Sequence, residues 1–183
     1  GVLRNVYNPG EILMIDFAGD KLSYIDTQTG EMVHVEVFVG TMPYSGFTFA
    51  IAVPTQNVED FAHALRLCIE ALGGVPHVVV PDNLKSAVIK PNRWTPQLNK
   101  SLMDMGNHYG FVTLPARVGK PKDKAPVESD VNRIYQRVYA KLRKRVFYSL
   151  MELHQAISDL VNAHNQTRMQ EHPYTREERF HAM

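Results

Sequence analysis

The sequence predicts an α/β fold: one five-stranded mixed sheet, an antiparallel meander followed by parallel strands, with helices on both faces. Three observations predict it. Apolar residues recur with a period of two over the first third of the chain, then switch to helical spacing interrupted by short apolar runs. The element order that results is β-β-β-α-β-α-β-α-α, and meanders that pass into β-α-β units build mixed sheets covered on both sides. The 183 residues, 44% of them hydrophobic and 21% charged, are enough for one domain with a substantial core.

Ile12-Leu13-Met14-Ile15 is apolar at every position, as a strand covered on both faces requires, and Asp16 closes it. Gly19-Asp20 breaks the pattern, and Thr27-Gln28-Thr29-Gly30 reads as a turn. Val33, Val35, Val37 and Val39 alternate with His34, Glu36 and Phe38 to make the second strand. Tyr44-Ser45-Gly46 turns the chain into a third strand over 47–53. Val58, Phe61, Ala62, Leu65, Cys68, Ile69 and Leu72 follow helical spacing, and Gly73-Gly74 stops that helix. Cys68 lies on the apolar stripe and reads as a core residue; a single cysteine excludes an intramolecular disulfide and a multi-cysteine zinc site. Val78-Val79-Val80 is a fourth, buried strand ending at Pro81-Asp82. Thr95-Pro96 has the form of an N-cap with Pro at the first helical position, opening a helix to about Gly110. Phe111–Leu114 is the fifth strand. A basic loop over 117–124 leads into a long helix from Pro126 to about Arg145, and a last helix starts at Leu150.

Net charge is +1, but it is unevenly spread. Residues 1–110 carry 7 basic and 11 acidic side chains, whereas residues 111–183 carry 13 basic and 8 acidic. Ten Lys and Arg fall between Arg117 and Arg145, either a solvated face or a polyanion-binding surface. No apolar run approaches the ~20 residues of a membrane span. No Gly-rich phosphate loop, Gly-x-Ser-x-Gly elbow or His-x-x-x-His pair is present, so ATP hydrolysis, that serine-hydrolase chemistry and zinc are not expected.

Three acids have a common logic. Asp16 ends the first strand, Asp82 ends the fourth, and Glu128 sits in the first turn of the long helix, at intervals of 65 and 45 residues. A carboxylate ending an apolar strand is costly unless neutralised, and such a set can hold two Mg²⁺ ions ~4 Å apart for phosphoryl transfer. Each acid also has a plain structural reading: a turn cap for Asp16, an N-cap for Asp82, a helix-dipole partner for Glu128. At ~100° per residue, Val127, Val131, Ile134, Val138 and Leu142 form a core stripe. Glu128, Asn132, Tyr135 and Tyr139 border it, while Arg133, Arg137 and Lys141 fall on the far flank. Lys120, Lys122 and Lys124 precede Glu128 and suit phosphate contacts; Asn132 and Tyr135 are candidates to touch sugar or base. Trp94 either stacks on a base or plugs the sheet edge.

Three stretches carry a resemblance: Ile15-Asp16-Phe17-Ala18-Gly19-Asp20, Pro81-Asp82-Asn83-Leu84-Lys85-Ser86-Ala87-Val88, and the segment from Pro115 through Lys120-Pro121-Lys122-Asp123-Lys124-Ala125-Pro126-Val127-Glu128. In this order they resemble the catalytic core of DDE transposases and retroviral-type integrases, most of all the IstA transposase family, whose elements also encode an AAA+ helper ATPase. The resemblance implies a ribonuclease H-like fold. It also implies a triad of Asp16, Asp82 and Glu128 holding two divalent ions, Mg²⁺ with Mn²⁺ as substitute. The family reaction is hydrolysis at a transposon end, then attack of the freed 3′-hydroxyl on target DNA. Relatives often carry Lys on the helix after the glutamate, where this chain has Asn132 and Tyr135. The expected organisation is a linker over 1–10, the core over 11–169 and a linker over 170–183 toward a further domain. Expected partners are DNA, further copies of the chain and the helper ATPase, in the bacterial cytoplasm. Two rival functions remain open: a nuclease of the same fold without strand transfer, and a non-catalytic protein-interaction module.

Overall fold

The computed structural model describes residues 12–19, 21–81, 94–114 and 138–167. Among the described residues, six strands form one mixed sheet: β1 (Ile12–Phe17), β2 (Leu22–Ile25), β3 (Met32–Thr41), β4 (Thr48–Val53), β5 (Val78–Pro81) and β6 (Val112–Thr113). β3 is the hub. It pairs antiparallel with β1, β2 and β4, while β1 pairs parallel with β5 and β5 parallel with β6. The meander followed by parallel strands is therefore as expected, but the described residues already hold six strands rather than five. The additional strand is Leu22–Ile25, which follows β1 along β3. Phe17 pairs with Phe38 and Leu22 with Val35, so the chain spends four positions where β3 spends two. That excess is a β-bulge. It hides the continuity of the pairing from a reading that stops at Gly19-Asp20.

β1 also runs one residue past Asp16, which pairs with Val39 inside the ladder and does not end the strand. Alternation along the strands sorts two cores. Leu13, Ile15, Phe17, Phe38, Ile51 and Val53 face one side, where α1 (Val58–Leu72) and α2 (Pro96–Tyr109) supply Phe61, Leu65, Cys68, Leu98 and Leu102. Val35, Val37, Val39, Ala50 and Ala52 face the other. There the short helical segment α3 (Ala140–Leu142) and α4 (Leu150–Thr167) bring Leu142, Leu153, Ile157 and Val161, with Val138 and Tyr139 just before α3. Both faces are thus covered, as the apolar runs of β1 and β5 require.

The helix ends obey their local chemistry. Asn57 accepts the Asp60 N–H at 2.9 Å to cap α1, and Gly73, with φ 76°, closes it. Thr95 accepts the Leu98 N–H, Pro96 opens α2, and Gly110, with φ 91°, closes it. Ser149 accepts the Glu152 N–H at 3.0 Å while Glu152 reaches back to the Tyr148 N–H, a close variant of the capping box. The helical segment α3 ends at Leu142, short of the Arg145 expected for the end of the long helix, because Arg143 and Lys144 turn the chain toward Phe147; residues 126–137 lie outside the described residues. α4 is tied to β4 by a buried reciprocal pair: the Thr48 N–H donates to Asn165 Oδ1 and Asn165 Nδ2 donates to the Thr48 carbonyl.

Gly40 leaves room on β3 for a side chain of α1. A Cβ there would stand 2.7 Å from Cys68 Sγ, so the Cys68 side chain of α1 packs directly on the β3 backbone. Burial pushes the Cys68 thiol far above its usual range, which makes it a packing residue and not a nucleophile. Gly40→Ala is expected to destabilise the fold by about 1–3 kcal/mol through overpacking. Adding Cys68→Ala removes the clashing sulfur, so urea denaturation should find the double variant more stable than Gly40→Ala alone.

Candidate functional site

Asp16 is the one acid of the sequence-derived triad among the described residues; Asp82 and Glu128 lie outside them. Lys120, Lys122, Lys124, Asn132, Tyr135, Arg133 and Arg137 also lie outside, and Lys141 is exposed. What the described residues do place is the frame around the proposed site. β1 and β5 are adjacent and parallel, in the register Ile12↔Val78 to Ile15↔Pro81. The residues immediately before positions 16 and 82 are therefore side-by-side partners. Parallel neighbours deliver consecutive chain positions to the same end of a sheet, and in open α/β sheets that carboxyl end is where sites form.

The face on which Asp16 lies follows from alternation. Ile15 and Phe17 belong to the α1/α2 side and Ala18 to the other, so Asp16 shares the α3/α4 side with its cross-strand partner Val39. Val138, Tyr139 and Leu142 pack on this same side. They belong to the stretch that the sequence places on one helix with Glu128, and Val138 and Leu142 are the two members of its core stripe that fall among the described residues. Tyr139, expected only to border that stripe, is itself 2% exposed. Asp16 is half-buried, and its Oδ1 accepts the Phe17 N–H at 2.8 Å. A hard, partly desolvated carboxylate of this kind suits Mg²⁺ or Mn²⁺ better than a softer metal. Among the described residues, no group of three or more His, Cys, Asp or Glu is placed to hold a metal.

On the opposite side of the sheet the structure shows a cluster that sequence reasoning missed. Glu36, 8% exposed, pairs with Lys21 at 3.2 Å and accepts from Gln56 Nε2 at 2.9 Å. Lys21 immediately precedes β2, so this cluster pins the end of the bulge that follows Asp16. The signal was present in the sequence: Glu36 is an acid at mid-strand, flanked by Val35 and Val37. Its partners, however, lie 15 and 20 residues away along the chain. Trp94 is half-buried against the core between α1 and α2. Its ring packs edge-on against Phe61 at 5.2 Å, and its N–H points to Asn99 Oδ1 at 3.5 Å.

No protein-family model matches the chain. Named relatives do. The chain is 39% identical over 168 residues to a protein named as transposase y4uI of Sinorhizobium fredii, covering 92% of this chain and 33% of that protein. It is 40% identical over 164 residues to the protein named as transposase for insertion sequence IS408 of Burkholderia multivorans, covering 90% and 32%. It is 26% identical over 149 residues to the transposase for insertion sequence element IS21 of Pseudomonas aeruginosa, covering 80% and 38%. The chain thus spans about one third of the length of the relatives it matches most closely among these. In three dimensions it resembles a chain of the cryo-EM structure of the simian T-cell lymphotropic virus intasome in complex with the PP2A regulatory subunit B56 gamma. That likeness has a TM-score of 0.63 and 15% identity, over all of this chain and 58% of that one, and it concerns the fold. The homologues of this chain are, by name, transposases of insertion sequences.

Proposed function

We propose that the chain is the catalytic core of a DDE transposase with a ribonuclease H-like fold. In this reading it cuts DNA at transposon ends and joins the freed 3′-hydroxyl to target DNA. The observation that carries the reading is the β1–β5 register, which makes Ile15 and Pro81 neighbours and so supports Asp16 and Asp82 as partners in one site. The names of the homologues and the shared fold support the same reaction class.

Asp16, Asp82 and Glu128 would hold the two divalent ions, which supply water or hydroxyl activation and stabilise the leaving oxygen. The chain's own contribution is positional. β1, set between β3 and β5, fixes the backbone of Asp16, and the Lys21–Glu36–Gln56 cluster holds the segment behind it. Such preorganisation spares the reaction the cost of gathering like charges as the substrate arrives. Lys120, Lys122 and Lys124 would contact phosphates, with Asn132 and Tyr135 beside them. Residues 11–169 form the core in this reading, between linkers over 1–10 and 170–183. Further copies of the chain and an AAA+ helper ATPase complete the proposed assembly.

The test is product analysis with Mg²⁺ and a duplex that ends in a free 3′-hydroxyl of the transposon end. Joining of that end to a second duplex is the expected result. Cleavage without joining would instead assign a nuclease, and neither reaction would leave an interaction module.

A further inference from the structure

We propose that the exposed basic turn over 141–145 is a second DNA-backbone contact, remote from Asp16 and on the same side of the sheet. The partner's identity as DNA rests on the transposase reading; the surface itself is read from the fold.

Lys141, Arg143, Lys144 and Arg145 occupy four of five consecutive positions, and all four are exposed. The remaining member, Leu142, is 2% exposed and anchors the turn in the core; Phe147, also 2% exposed, anchors its other end. Between these anchors the backbone is held. The Arg143 N–H donates to the Tyr139 carbonyl at 2.9 Å, the Arg145 N–H to the Leu142 carbonyl at 3.1 Å, and the Phe147 carbonyl accepts the Ile25 N–H at 2.7 Å. Arg145 lies over the Phe147 ring at 5.0 Å. The cations are thus presented from a fixed frame rather than a floppy tail, which lowers the entropy lost on binding.

Among the described residues, Lys141, Lys144 and Arg145 form no ion pair, although Asp26 and Glu31 lie on the neighbouring hairpin. Asp26 is engaged instead in its own turn, accepting the Gln28 N–H at 2.8 Å.

The turn stands well apart from Asp16. Asp16 pairs with Val39 and Ile25 with Met32, so seven residues of β3 separate Asp16 from the strand end that bonds Phe147. At ~3.3 Å per residue that is roughly 23 Å along the strand, too far for one phosphate to touch both. An acidic protein partner is the competing occupant. DNA is favoured because the cations recur along the chain without interspersed acids over 141–145, and because the relatives of the chain are named as transposases.

The test is binding of the chain to a fluorescent 30-base-pair duplex in EDTA, across 50–200 mM NaCl, with Lys144→Gln/Arg145→Gln as the variant and thermal melting to confirm its fold. EDTA removes metal chemistry, so the result stands apart from the triad. Each lost phosphate contact should reduce the slope of log affinity against log salt by about 0.9. The double variant is therefore expected to lose close to two units of slope and at least tenfold in affinity. Affinity within twofold and an unchanged slope would overturn the proposal, as would absence of DNA binding by the unaltered chain. Unchanged DNA binding with weakened binding to poly-glutamate would assign the turn to an acidic protein instead. If Asp16→Asn retains DNA binding but plasmid nicking proves independent of Asp16, the catalytic reading fails and this one stands.

Discussion

Asp16→Asn is expected to lower metal-dependent nicking of supercoiled plasmid by at least about 10³-fold while leaving the thermal midpoint within a few degrees. The magnitude follows from the several kcal/mol of charge stabilisation that a metal-ligating carboxylate helps supply, at 1.36 kcal/mol per factor of ten. The fold should survive because the change is isosteric, and Asn Oδ1 can still accept the Phe17 N–H that Asp16 now takes at 2.8 Å. Titration with Mn²⁺ gives an independent readout: the variant should bind it more weakly. Nicking reduced less than tenfold, with unchanged Mn²⁺ affinity, would remove Asp16 from the proposed site and leave its placement beside Val39 as a structural accident.

The largest expected effect on stability belongs to Phe61. It is 0% exposed and meets Phe38 at 6.2 Å and Trp94 at 5.2 Å, joining the hub strand β3, helix α1 and the segment that opens α2. Phe61→Ala should cost about 3–5 kcal/mol, transfer and cavity terms together, which lowers Tm by roughly 6–20 °C for a chain of this size. The same variant has a local readout. Trp94 is the one tryptophan of the chain, so its emission reports this site alone. With the Phe61 ring gone, Trp94 gains water contact and its emission should shift to the red before global unfolding. An unshifted emission maximum in the folded variant would mean that Trp94 is held by Asn99 and the start of α2 rather than by the core.

Sequence reasoning did best where the local signal was strong. Asn57 was overlooked as a cap, yet the end of α1 at Gly73 and both ends of α2, at Thr95-Pro96 and Gly110, were legible, because capping chemistry is confined to a few adjacent residues. The two-sided burial of β1 and the alternation in β3 were legible for the same reason. Strand β2 was not. Its pairing depends on a bulge between Phe17 and Leu22, and a bulge shifts register without leaving a periodic trace. The short end of the helical segment at Leu142 was also missed, since the turn that follows is held by the bond from Phe147 to Ile25, more than a hundred residues away in the chain.

The amino-acid sequence by itself determined the class of fold, the residues of both cores in outline and the choice of Asp16 as a site candidate. These rest on periodicity, on capping and on the cost of a charge within an apolar strand, all of which act over a few residues. The tertiary structure alone decided which strands are neighbours, that Asp16 shares a face with Val138 and Leu142, that Glu36 meets Lys21 and Gln56, and that four cations stand on one rigid turn. Those facts depend on register and on contacts between distant segments. Loop closure and packing of the whole chain set them, and no local propensity encodes them.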